Sequence, residues 1–121
     1  IYLHGNLGAG KTTFCKYFLR SIGFDGMVKS PTYALVEPYC VHGRHYYHFD
    51  LYRLTDPLEL DTIGVEDYFR SDSVVLVEWP QKGKGILPEP TLTLNIDIID
   101  DNTRNIILMT QEEKRFTIFS K

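Results

Sequence analysis

At 121 residues and 43% hydrophobic content, the chain is long enough for one core and gives no sign of a second domain, so residues 1–121 are read as one domain. A formal net charge of −3 argues against broad electrostatic adhesion to nucleic acid, leaving only local basic spots such as Lys82 and Lys84. Two cysteines, Cys15 and Cys40, are too few for a disulfide scaffold and too far apart for a C-x-x-C site, which points to reduced thiols and a cytoplasmic setting. The run Val74-Val75-Leu76-Val77 is far too short to span a bilayer, so no membrane is implied.

The chain opens at Ile1 on what reads as a core strand, so further N-terminal sequence is expected before it. Directly after Ile1-Tyr2-Leu3 comes Gly5-Asn6-Leu7-Gly8-Ala9-Gly10-Lys11-Thr12, the pattern G-x-x-x-x-G-K-[ST]. In such a loop the glycines, with Ala9 between them, let successive N–H groups converge on a phosphate. Lys11 brings a cation to the β/γ oxygens and Thr12 a hydroxyl to Mg²⁺. Residues 11–22 place Phe14, Phe18, Leu19 and Ile22 on one helical face, so the loop, through Thr12 and Thr13, runs into a helix N-terminus that itself favours anions. Gly23 is the expected stop.

Residues 33–41 and 45–50 are rich in aromatic and β-branched side chains and flank His42-Gly43-Arg44, which predicts a β-hairpin. Pro38 places its strand at an edge or a bulge. Asp56-Pro57 followed by Leu58 and Leu60 starts a short helix, and Gly64 to Phe69 a further helical turn. Ser73 to Trp79 is a continuous apolar run, as in a strand covered on both faces, and Pro80 ends it. From Thr91 to Ile98 the pattern alternates, Asp100-Asp101-Asn102 turns, and residues 105–110 and 116–119 are strand-like again. The fold expected is an α/β, P-loop NTPase-like three-layer domain around a central mixed, partly antiparallel sheet.

Other residues narrow the chemistry. Glu78 ends the buried strand, where P-loop enzymes keep a carboxylate toward Mg²⁺ or its water shell. Asp50 also ends a strand. Thr32, between the first helix and the hairpin, either senses the γ-phosphate as a switch residue or simply begins a strand after Ser30-Pro31. Trp79 either serves the nucleotide, stacking near the base or packing beneath the site, or is simply structural beside Pro80; Tyr52 and Arg53 face a partner or the phosphates, unless Arg53 forms only a solvated salt bridge, and Arg104 is a further candidate nucleotide contact. His42, His45 and His48 step by three along a strand and so alternate faces, which excludes a shared zinc without a bend. Asp61-Thr62-Ile63-Gly64 imitates a GTPase D-x-x-G but follows a helical segment, and no N-K-x-D guanine reader follows; ATP is the expected nucleotide.

Taken together, residues 5–13, Ser30-Pro31-Thr32-Tyr33, His48-Phe49-Asp50-Leu51-Tyr52-Arg53 and Glu78-Trp79 closely resemble, in order and spacing, the TsaE (formerly YjeE) family. The resemblance covers nearly the whole chain. It implies an ATPase with ATP and Mg²⁺ as cofactors, needed for threonylcarbamoyladenosine in tRNA and working with TsaB and TsaD, so that tRNA is met through the complex. It also places Asp50 at the nucleotide site, where the carboxylate orients water or holds the metal shell. Catalytic roles fall to Lys11, Thr32, Asp50 and Glu78, nucleotide contacts to residues 8–13, Trp79 and Arg104, and the metal to Thr12 and Glu78. The chain departs from the family at Asn6, where aspartate is commoner, and in lacking the extension that helps to frame the base. A small-molecule kinase and a non-hydrolysing nucleotide-dependent scaffold are the rival functions.

Overall fold

The computed structural model describes residues 1–31, 34–70 and 72–110. Its six strands are β1 (Tyr2–His4), β2 (Val36–Val41), β3 (Arg44–Asp50), β4 (Ser73–Glu78), β5 (Leu92–Asp100) and β6 (Thr103–Thr110). They form one sheet in the order β2-β3-β4-β1-β5-β6. The inner four strands run parallel, and the outer pairs, β2 with β3 and β5 with β6, are antiparallel.

Period-two alternation sorts the side chains of this sheet into two cores. Leu3, Leu76 and Leu94 pack with Cys15, Phe14 and Phe18 of α1 (Lys11–Ser21), while Leu19 of the same helix joins Tyr39, Val41 and Tyr46. On the other face Tyr2, Phe49, Val75 and Val77 pack against Leu51, Leu54, Leu60 and Val65, from α2 (Glu59–Thr62), a 3₁₀ turn over Val65–Tyr68 and their approaches. Helices therefore cover both faces, giving the expected three layers. Each fully buried leucine contributes about 1.5–3 kcal/mol, and Leu3, Leu19, Leu60 and Leu76 are all completely enclosed.

Local chemistry accounts for the element ends. α1 closes in a Schellman motif, with Phe24 N–H bonding Leu19 O and Gly23 N–H bonding Arg20 O. Gly23 takes φ 109° there, as its place in the sequence requires. The first hairpin is tighter than expected: His42 and Gly43 alone form the loop, both with positive φ, and Arg44 already belongs to β3. Pro38 pairs with Tyr47 on the edge strand β2. Because the Leu35–Asp50 pair is hydrogen-bonded, alternation makes Pro38–Tyr47 a non-bonded pair, and no ladder bond is lost. The Asp56 carboxylate accepts the N–H of Leu58 at 3.0 Å and so starts the turn that leads into α2, which is only four residues long. β4 stops at Glu78, one residue before the expected end, because Trp79 enters the left-handed region at φ 58° and Pro80 opens a 3₁₀ turn over Pro80–Gly83. The β5–β6 turn falls at Asp101-Asn102, and this hairpin leaves Ile99 of β5 and Ile106 and Met109 of the outer strand β6 about half exposed or more. Residues 116–119 lie outside the described residues, as does Thr32. No helix among the described residues is long and apolar enough to cross a membrane.

Candidate functional site

Parallel sheets present ligand sites at the carboxyl ends of their strands, and three of this chain's motifs meet there. β1 delivers the glycine-rich loop, β3 delivers Asp50, and β4 delivers Glu78. Asp50 and Glu78 are register partners on neighbouring parallel strands, and alternation puts both, with His48, on the face that carries α1.

The loop lies tightly on β5. A Cβ at Gly5 would stand 2.7 Å from the Ile96 carbonyl oxygen, so any side chain there would push the loop off the sheet. Gly8 and Gly10 take φ of 83° and 113°, with open space where a Cβ would stand, while Ala9 is buried and its N–H bonds Asn6 O at 3.0 Å. That open, backbone-lined cradle running into the N-terminus of α1 fits a phosphate group. Asn6, the residue at which aspartate is commoner, contributes its backbone to the loop and leaves the cradle intact.

Lys11 is only 5% exposed. Its Nζ donates to the Gly5 carbonyl and, at 3.4 Å, to that of Asn6, and it lies 3.8 Å from the centroid of the Trp79 ring. Burial lowers its pKa, against the pull of Glu78 and Asp50, which raise it. Trp79 thus packs beneath the lysine and beside Tyr52, whose ring centroid is 5.1 Å away. Lys82 is tied to this group through Tyr52 O at 2.7 Å.

Thr12 Oγ1 donates across to Glu78, lying 3.0 and 2.9 Å from its two carboxylate oxygens. The fold thus sets the P-loop hydroxyl directly against the strand-end acid. Glu78 is buried, and His48 Nε2 also approaches its Oε2, at 2.6 Å. Thr13 is the third residue of α1 and exposed.

Asp50 is half-buried and accepts the Tyr52 N–H at 3.0 Å. Burial raises its pKa, as does the charge of Glu78, against the Tyr52 hydrogen bond, His48 and Lys11, which lower it. A carboxyl raised in this way holds its proton more tightly folded than unfolded. Stability is therefore lost as pH rises from the unfolded pKa through the folded one. Asp50→Asn is expected to raise the melting temperature of the nucleotide-free chain at pH 7 and to leave it little altered at pH 4. Thermal melts across that range test this, and equal melting temperatures at pH 7 would contradict it.

Arg104 reaches the loop, but through its backbone: Nε donates to the Ala9 carbonyl at 2.9 Å, and Nη1 to Asp100 O at 2.8 Å. It is a brace between β6 and the cradle. A charge-assisted hydrogen bond of this kind is worth about 1 kcal/mol, so Arg104→Ala should lower the melting temperature by a few degrees and, by loosening the cradle, weaken ATP binding by up to about five-fold. Calorimetry would settle it; unaltered affinity would leave the brace without function.

Among the described residues the three histidines do not converge, as alternation required. His42 turns the hairpin, His45 stacks on Tyr47, and His48 faces the interior. Apart from its place in the motif at residues 48–53, the sequence reading gives His48 a role only as a zinc ligand and misses its contact with Glu78; the available signal is its position two residues before Asp50, on the same face. Cys15 lies within 4.8 Å of His48 and Glu78, yet burial first and the Glu78 charge second push its thiol well above the usual range, so it packs as a neutral group. Asp61 is exposed on α2, away from any strand end. Arg53 lines an open groove of about 820 Å³ with Ser30, Pro31, Asp50 and Tyr52.

Comparisons with known proteins bear on the family and the fold. The model of the family described as threonylcarbamoyl adenosine biosynthesis protein TsaE matches residues 1–106. The tRNA threonylcarbamoyladenosine biosynthesis protein TsaE of Haemophilus influenzae is 57% identical over 111 residues, covering 92% of this chain and 70% of that protein. The protein of the same name from Bacillus subtilis is 38% identical over 104 residues, covering 86% of this chain and 65% of that one. The crystal structure of Bacillus subtilis YdiB is similar with a TM-score of 0.76 at 29% identity, covering 98% of this chain and 72% of that one. The expected P-loop NTPase-like fold holds, and the chain belongs to the TsaE family of threonylcarbamoyl adenosine biosynthesis proteins.

Proposed function

We propose that this chain is a Mg²⁺-dependent, cytoplasmic ATPase that supports threonylcarbamoyladenosine formation in tRNA together with TsaB and TsaD. The single observation that carries the reading is the Thr12 hydroxyl set against both oxygens of Glu78 beside an open glycine cradle. Residues 8–13 bind the phosphates through their backbone, and Lys11 leaves its own loop carbonyls for phosphate oxygens. Thr12 and Glu78 would hold Mg²⁺, which when bound neutralises charge on the phosphates. Asp50, with its pKa raised by burial, is placed at the strand end to accept a proton from, or orient, the attacking water. Trp79 supports Lys11 from below. Thr32, proposed as the switch that senses the γ-phosphate, lies outside the described residues. tRNA is met through the assembly.

Phosphate release from ATP and from GTP, measured with the chain alone and with TsaB and TsaD added, tests the proposal. ATP should be preferred, and the partners should accelerate release; equal slow rates in all four conditions would contradict it. A small-molecule kinase is the second reading, favoured by the groove of about 820 Å³ beside Asp50, which offers room for a phosphoryl acceptor. Transfer of labelled γ-phosphate to a metabolite without any partner would decide for it.

A further inference from the structure

His48 is a fully buried polar side chain in a parallel strand, a position that would ordinarily be apolar. Its Nε2 meets Glu78 Oε2 at 2.6 Å, while Nδ1 has no hydrogen-bond partner among the described residues. An orphaned buried nitrogen of this kind costs about 1–3 kcal/mol. Leucine or phenylalanine would fill the place without that cost, so packing alone does not account for the imidazole. What the ring supplies is one directed hydrogen bond. With Glu78 as acceptor the hydrogen stands on Nε2, and the carboxylate is then held by two donors from different elements, His48 of β3 and Thr12 of α1. Two fixed donors remove the rotation about its last torsion that a lone glutamate would keep.

We propose that His48 is a positioning residue for the metal side of the nucleotide site, holding the Glu78 carboxylate in the one orientation that meets the Thr12 hydroxyl. The inference rests on the reading of Glu78 as the Mg²⁺-side acid and extends it to a group that itself touches neither nucleotide nor metal. Residues that orient a metal's ligands typically change metal affinity by about 10–100-fold when removed. Binding of the nucleotide phosphates by the glycine loop, in contrast, needs no correctly turned Glu78.

The test is calorimetric ATP binding to the full chain, in EDTA and across a Mg²⁺ titration, for the parent, His48→Phe, His48→Gln, Glu78→Gln and the His48→Phe/Glu78→Gln pair. His48→Phe keeps the volume and loses the donor, whereas glutamine can place an amide N–H where Nε2 stands. In His48→Phe the Mg²⁺ concentration giving half-maximal tightening should rise about tenfold, while affinity in EDTA stays within about twofold. His48→Gln should remain close to the parent, and His48→Phe should add nothing in the Glu78→Gln background. His48→Leu carries the same expectation if the phenylalanine variant does not fold. An unaltered Mg²⁺ dependence in His48→Phe, equal weakening with and without Mg²⁺, or a glutamine variant as impaired as the phenylalanine one would each overturn the role. A parent chain whose ATP binding ignores Mg²⁺ would remove the reading of Glu78 along with it; a Mg²⁺-dependent parent with an unaffected His48→Phe would remove this role alone.

Discussion

Lys11→Ala is expected to weaken ATP binding by at least about 100-fold, because a cation that reaches phosphate oxygens inside a buried site is worth roughly 3 kcal/mol. The ammonium is already desolvated before any nucleotide arrives: it is 5% exposed and satisfied by two loop carbonyls and the face of Trp79. Phosphate oxygens offer full negative charge in place of neutral carbonyls, so the exchange favours the ligand without a fresh desolvation cost. Moving Lys11 toward phosphate also changes the environment of Trp79, which is the chain's only tryptophan. Intrinsic fluorescence should therefore change saturably with ATP in the parent. The Lys11→Ala chain should begin at a different emission and respond little. Equal dissociation constants and superimposable titrations in the two proteins would contradict this account of the lysine.

Glu78→Ala should be costly even without nucleotide. Removing the carboxylate leaves His48 with both ring nitrogens unpartnered in a fully enclosed place and deprives the Thr12 hydroxyl of its acceptor. Two orphaned groups of this kind cost about 2–4 kcal/mol. The same change relieves the repulsion between Glu78 and Asp50. That gain is smaller, because Asp50 is only half-buried and its charge is screened. The net effect is a lower urea midpoint, with the Mg²⁺ dependence of ATP binding lost as well. Glu78→Gln, which keeps an acceptor for Thr12 and His48, should lose the Mg²⁺ dependence and much less of the stability. An unaltered urea midpoint in Glu78→Ala would show that the buried pair contributes nothing to the fold.

The parts of this site that were legible in the sequence are the ones specified locally. The glycine loop is a spacing, and its exit into α1 is a capping and periodicity signal within a single stretch of chain. The same holds for the His42-Gly43 turn and for Asp56-Pro57. What was not legible depends on which strands become neighbours. Nothing near His48 announces that β3 will lie beside β4, and only that pairing brings the imidazole to Glu78, 30 residues away. The place of Trp79 beneath Lys11 is hidden for the same reason: it follows from β4 lying beside β1 and from the left-handed turn before Pro80. Arg104 is a candidate nucleotide contact in the sequence, and that it lies against the carbonyl of Ala9, 95 residues away, depends on β6 folding back along β5.

The most direct test of the central claim is a calorimetric titration of the chain with ATP in Mg²⁺, repeated with GTP in Mg²⁺. One saturable site per chain is the result expected from the cradle at residues 8–13 with Lys11 and Thr12, and a preference for ATP is expected from a sequence with no N-K-x-D guanine reader. Absence of saturable heat with either nucleotide would contradict it.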